Sequence, residues 1–162
     1  MTRKADANTG APEGAPCDVI RGATDAPHPA APPPMRGLHH VALIVSDYPR
    51  SRAFYTEILG CPVIAETRRA ERNSWKLDLA LPDGTRLEVF SFPTPPARPT
   101  CPEACGLRHL ALSVPDISAW ITHLRSHGIA VEPLRTDPLT GARFTFFPDP
   151  DGLPIELYSS PT

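Results

Sequence analysis

From Leu38 onward, apolar residues fall at alternate positions in short runs and at every third or fourth position in two longer ones, and the switch between these periods predicts the elements. In the first run His40, Ala42 and Ile44 share one face of a strand, while Val41, Leu43 and Val45 share the other. The period then becomes helical. Asp47 caps a helix that runs to Leu59, with Pro49 in its first turn, Phe54 and Ile58 on one stripe and Gly60 as its stop. Strand-like alternation returns over residues 62–67, 74–81 and 85–92, the last two joined by the turn-forming Pro82-Asp83-Gly84. This half reads β-α-β-β-β.

After a Pro-rich connector, residues 93–106, the pattern repeats. Leu38-His39-His40-Val41-Ala42-Leu43 returns as Leu107-Arg108-His109-Leu110-Ala111-Leu112. Asp116 takes the place of Asp47, Trp120 and Leu124 supply the buried stripe of a second helix, and Gly128 stops it. Strand-like stretches follow over residues 129–134, 142–147 and 153–158. His40 and His109 are 69 positions apart, as are Asp47 and Asp116, whereas Gly84 and Gly152, like Glu88 and Glu156, are 68 apart. A single deletion explains the difference, and this many matches in register mark an internal duplication. The fold class is therefore α+β, with two tandem βαβββ modules.

Composition adds a boundary. Residues 1–35 are dominated by Ala, Pro, Gly and Asp and carry too few large apolar side chains to offset their ordering entropy, so a disordered tail is expected there. Met35 directly precedes the first structured stretch, and the tail reads as a dispensable leader or a start-site artefact. Residues 36–160 suit one domain, with module one at 37–92 and module two at 107–159.

Charge and cysteine usage narrow the partners. Sixteen Lys plus Arg against eighteen Asp plus Glu leave a formal charge of −2 without a basic run, so nucleic acid is not an expected partner. No apolar stretch approaches the roughly 20 residues of a bilayer span, and the N-terminus has no apolar core of a secretory signal. The expectation is a cytoplasmic protein with no membrane partner. Cys17, Cys61, Cys101 and Cys105 form no disulfide framework. Cys101 and Cys105 lack a second Cys or His pair at zinc-finger spacing and read as loop thiols.

The duplicated chemistry is a His…Glu pair in each half. Glu88 lies between Leu87 and Val89, and Glu156 between Ile155 and Leu157, so each carboxylate takes the strand face opposite its apolar neighbours. A carboxylate on an inward face is costly unless it is paired or holds a cation. Two Glu and two His offer two anionic oxygens and two imidazole nitrogens, a set suited to Ni, Zn, Co, Mn or ferrous iron. His39, which does not share this placement, reads as a packing or surface residue, and His123 and His127 as solvated helix positions.

The first-strand motif, the helix with Phe54-Tyr55 and Leu59-Gly60, Arg108-His109-Leu110-Ala111-Leu112, and Asp149-Pro150-Asp151-Gly152-Leu153-Pro154-Ile155-Glu156-Leu157 together resemble the vicinal oxygen chelate superfamily, in particular bacterial glyoxalase I-like proteins. The resemblance covers about residues 38–159. It implies a cup-shaped mixed sheet around one divalent metal ion, with His40, Glu88, His109 and Glu156 as ligands. It also implies a lyase or isomerase acting on a small α-oxygenated carbonyl compound, such as a thiol hemithioacetal. The metal would stabilise an enediolate while Glu156, as the catalytic base, removes the carbon-bound proton. Glutathione-using relatives often place Arg four residues after the first His and Asn four after the first Glu. This chain has Ile44 and Phe92 there, so the resemblance extends to the metal set and not to the grip on glutathione.

Candidates for substrate contact are Arg72, Lys76 and Arg143, with Arg98 in the connector, for an anionic group, and Phe90 and Phe92, on the parity of Glu88, for an apolar wall. The same resemblance leaves room for an epimerase, a ring-cleaving dioxygenase, an antibiotic-modifying thiol transferase or a non-catalytic small-molecule-binding protein. The connector would let modules share a site within one chain or between two, so a homodimer is among the expected states.

Overall fold

The computed structural model describes residues 31–159, and the expected tail up to residue 30 lies outside them. Strand β1 is His40–Val45. The Asp47 carboxylate then accepts the Arg50 backbone N–H at 3.1 Å and starts helix α1, Tyr48–Ala53, which continues into a π-helical turn over Phe54–Ile58. Strands β2 (Val63–Arg69), β3 (Ser74–Ala80) and β4 (Arg86–Ser91) complete module one. Module two consists of β5 (Leu110–Ser113), helix α2 (Ile117–Ser126), β6 (Arg135–Thr136), β7 (Arg143–Pro148) and β8 (Pro154–Ser159).

Each module is a four-stranded mixed sheet, in the orders β1-β4-β3-β2 and β5-β8-β7-β6. In both, the first strand runs parallel to the last, and the remaining pairings are antiparallel. The duplication read from the sequence is thus a duplication of topology. The expected two tandem βαβββ modules are present as two mixed sheets, which share no strand pairing among the described residues.

The core lies on one side of both sheets. Leu43, Val45, Leu77, Leu79, Leu87 and Val89 of module one join Phe147, Ile155 and Leu157 of module two in a single buried cluster, filled in by Phe54, Tyr55, Ile117, Ile121 and Leu124 from the helices. Each fully buried side chain of this size contributes roughly 1.5–3 kcal/mol. The opposite sheet faces, which carry the His and Glu residues, are left outside this cluster.

Three expectations change. The buried stripe of α2 is Ile117, Ile121 and Leu124, while Trp120 is only half-buried at its edge. His123 is half-buried, with its Nε2 donating to the Ile58 carbonyl at 2.8 Å across the module boundary. The strand expected over residues 129–134 is replaced by the two-residue β6. Pro133 has no N–H to give to a ladder, and the segment is held instead by Glu132 N–H to the Phe146 carbonyl and Thr145 hydroxyl to the Glu132 carbonyl. Among the described residues no helix is long and apolar enough to cross a membrane.

A second joint between modules is polar. The turn before β8 folds on Asp149, whose Oδ1 accepts the backbone N–H groups of Asp151 and Leu153 at 2.9 and 2.7 Å. Its Oδ2 accepts the Tyr55 hydroxyl at 2.8 Å. Burial pushes both groups up in pKa, Tyr55 well above its usual value, with the facing Asp149 charge adding to the effect on Tyr55. Asp151 accepts the Ser46 backbone N–H and hydroxyl, tying the same turn to the end of β1.

Candidate active site

Strand alternation places the four candidate ligands. Leu87 and Val89 are buried in the core, so Glu88 between them takes the other face, and Ile155 and Leu157 do the same for Glu156. Parallel pairing sets Ala42 beside Glu88 and Ala111 beside Glu156, which puts His40 and His109 in equivalent positions diagonal to the carboxylates. His40 Nε2 lies 3.9 Å from Glu88 Oε2, and His109 Nε2 lies 3.0 Å from Glu156 Oε2. Both carboxylates are mostly covered, at 17% and 13% side-chain exposure.

The surroundings of the two pairs differ. In module one, β3 sets Asp78 opposite Glu88, and the Lys76 ammonium bridges them, 2.6 Å from Asp78 Oδ1 and 3.1 Å from Glu88 Oε1. The bond to Asp78, with a further one to Glu88, raises the Lys76 pKa above its usual value. In module two the corresponding β7 positions are Phe144 and Phe146, with Phe146 opposite Glu156. Glu156 therefore has His109 as its only ion-pair partner among the described residues, and the His109 ring meets Phe146 edge-on at 5.3 Å. His109 Nδ1 is buried with no hydrogen-bond partner among the described residues. A cavity of about 450 Å³ opens beside His109, lined also by Phe146, Arg98, Cys101, Arg108 and Arg135.

Within the chain the quartet is thus gathered as two pairs. Among the described residues no three His, Cys, Asp or Glu side chains converge on one point as a metal cage. Each pair does set one imidazole nitrogen beside one carboxylate oxygen on the sheet face away from the core, which fits half of a four-donor divalent-ion site.

The substrate-contact candidates separate. Lys76, Phe90 and Phe92 lie on the Glu88 side, the two rings stacked at 6.4 Å and 18°. Arg72 sits exposed in the 3-10 turn Ala70–Arg72. Arg143 lies on the helix side of its sheet, donating to the Ser118 hydroxyl at 3.0 Å, and does not share the face of Glu156. Arg98 is held by the Leu107 and Arg108 carbonyls at the rim of the module-two cavity.

Two residues escaped the sequence reading. His39, read as a packing or surface residue, is exposed as that reading allowed, but its Nδ1 also lies 2.9 Å from His40 Nδ1, against the ring whose Nε2 faces Glu88. Arg69 lies with its guanidinium 5.5 Å from the Phe90 centroid and 6.0 Å from that of Phe92. Its alternation with Thr67 and Ala65 is visible in the sequence, but which face that is depends on the pairing of β2 with β3.

A family model, Glyoxalase/Bleomycin resistance protein/Dioxygenase superfamily, matches residues 37–157. The chain belongs to this superfamily. The uncharacterized protein YaeR of Escherichia coli strain K12 is 56% identical over 124 residues, covering 76% of this chain and 96% of that protein. The crystal structure of the glyoxalase family protein from Enterococcus faecalis is 50% identical, covers 76% of this chain and 97% of its own, and superposes with a TM-score of 0.71. A 2-epi-5-epi-valiolone epimerase of an Actinomyces species is 30% identical over 145 residues, covering 76% of this chain and 79% of the epimerase. The superfamily is therefore shared with proteins of more than one named activity.

Proposed function

We propose that this superfamily member is a metal-dependent lyase or isomerase of the glyoxalase type, acting on a small α-oxygenated carbonyl compound by moving a carbon-bound proton. The observation that carries this reading is the contrast between the two glutamates. Glu88 already has an ammonium partner in Lys76, whereas Glu156 faces only His109 and the Phe146 ring. A carboxylate without an ammonium partner, set beside an aromatic ring on the sheet face away from the core, is open to a substrate proton in a way that Glu88 is not.

His40 and Glu88 from one face, and His109 and Glu156 from another, would hold one divalent ion. Such an ion supplies a Lewis acid for two neighbouring oxygens of the substrate. Because one chain keeps its pairs apart, module one of a chain is proposed to meet module two of a second copy, giving two sites per homodimer. Glu156 takes the proton from the carbon beside the carbonyl and returns it to the neighbouring carbon or to the other face of the same carbon. His109 holds the Glu156 carboxylate in place, and Phe146 limits water around it.

Return to the same carbon would make the protein an epimerase, a second reading favoured by the similarity to the valiolone epimerase. The test is to load purified protein with nickel or zinc and supply methylglyoxal with a panel of thiols, following the hydroxyacyl thioester and, by deuterium exchange, loss of the carbon-bound proton. Thioester formation supports the lyase, exchange without it supports the epimerase, and neither with any thiol overturns the proton-transfer reading. Elemental analysis of wild type beside Glu88→Ala and Glu156→Ala tests the four-donor site separately.

A further inference from the structure

We infer that Arg69, laid on the Phe90–Phe92 shelf, is the anchor for a carboxylate carried by the substrate at a distance from its metal-chelating oxygens. The inference rests on the metal-site reading above and adds to it the substrate class: an α-oxygenated compound with a second, anionic end.

Register places Arg69 on the reactive face. Arg69 pairs with Ser74 and Thr67 with Lys76 across β2 and β3, while Lys76 pairs with Phe90 and Asp78 with Glu88 across β3 and β4. Arg69, Lys76, Phe90 and Glu88 therefore share one sheet face, the face of His40. Its sequence neighbour Arg68 is spent on structure, donating to the Ser74 carbonyl and the Asn73 side chain. Arg69 is not. Among the described residues its guanidinium has no carboxylate within ion-pair distance and makes no hydrogen bond.

The aromatic shelf gives such an arginine a resting place. Ring faces attract the guanidinium plane without consuming its N–H edges, so the fork is held while its donors stay open. A carboxylate is the group that accepts two parallel N–H bonds from that fork.

The neighbouring cation does not compete for this role. Lys76 lies 5.8 Å from the same Phe90 centroid, but Asp78 and Glu88 already neutralise it. Arg69 is the uncompensated charge of the row Arg69, Phe90, Lys76, Glu88, which leads from the shelf to the proposed metal ligands. A substrate bound along this row would present its chelating oxygens at Glu88 and His40 and its carboxylate at Arg69.

The experiment uses the full-length protein loaded with nickel and a matched series of chelating acids, read by calorimetry. Malate, 2-hydroxyglutarate and 2-hydroxyadipate are each compared with the 2-hydroxy monocarboxylate that has a methyl group in place of the distal carboxylate. At least one diacid should bind about tenfold or more tightly than its mate, as a new charge-assisted pair requires. Arg69→Gln should erase that preference while leaving the monoacid affinity and the nickel content unchanged. A preference that is absent, or that survives in Arg69→Gln while the monoacids still bind only with metal present, overturns the role of Arg69 alone. If no acid of either kind binds in a metal-dependent way, the metal-site reading fails and this inference fails with it.

Discussion

The two modules share a topology and a His…Glu pair, yet they surround the pair differently. Module one embeds Glu88 in charge, with Lys76 and Asp78 alongside, and module two sets Glu156 against aromatic rings. Both modules keep the His…Glu pair, as one coordination sphere shared by the two pairs would require under the proposed function, while the strand beside the pair differs. Neighbours on β3 and β7, more than the repeated residues themselves, thus set the surroundings of equivalent carboxylates.

The sharpest way to break this contrast is to neutralise each glutamate in turn. Glu156→Gln should lower proton-exchange turnover by about a thousandfold at saturating metal, the scale of losing a general base. Glu88→Gln should act mainly through weaker metal retention, so that excess nickel restores much of its rate. Equal, metal-independent losses would mean that the two carboxylates do the same work.

Next in size is the asymmetry of the turns. Asp149→Ala strands the Tyr55 hydroxyl and two backbone N–H groups in a buried joint and should cost about 3 kcal/mol in urea unfolding. The equivalent position of module one is the apolar Leu81, and the acidic residue of that turn, Asp83, bonds only the exposed Thr85, so Asp83→Ala should leave the unfolding midpoint where it is. A smaller effect is expected on metal affinity: Lys76→Met removes the ammonium that competes for Glu88 and should tighten nickel binding a few-fold in a chelator competition.

The smallest effect concerns pH and belongs to module one alone. The Tyr48 hydroxyl, followed by Arg52, holds the Glu66 carboxyl below its usual pKa of 4.5. That stabilisation is present above pH 4.5 and is lost as the pH falls through the lower folded value. Glu66→Gln should therefore flatten the acid limb of a plot of Tm against pH, while leaving the neutral region little changed.

Much of this was legible in the sequence where one periodicity had one physical meaning. Glu88 and Glu156 each sit between apolar residues, so the face opposite those neighbours followed from alternation, and Asp47 and Asp116 marked helix starts because a capping carboxylate has few other uses there. What stayed hidden depended on partners. The two-residue β6 is set by what β7 offers and by Pro133, the role of Arg69 by rings on another strand, and the separation of the two donor pairs by how the modules pack. A chain pattern specifies which face a residue takes, but not what stands opposite that face.

The joint at Tyr55 and Asp149 has a consequence for the history and handling of the chain. Either duplicated unit made alone would leave a buried polar group without its partner, since the turn of the second accepts the Tyr55 hydroxyl at the helix end of the first. Cutting within residues 93–106 should leave two fragments that remain associated, and neither fragment made alone should behave as an autonomous ancestor would. The repeat survives as a record of symmetry, while the joint makes each half the completion of the other.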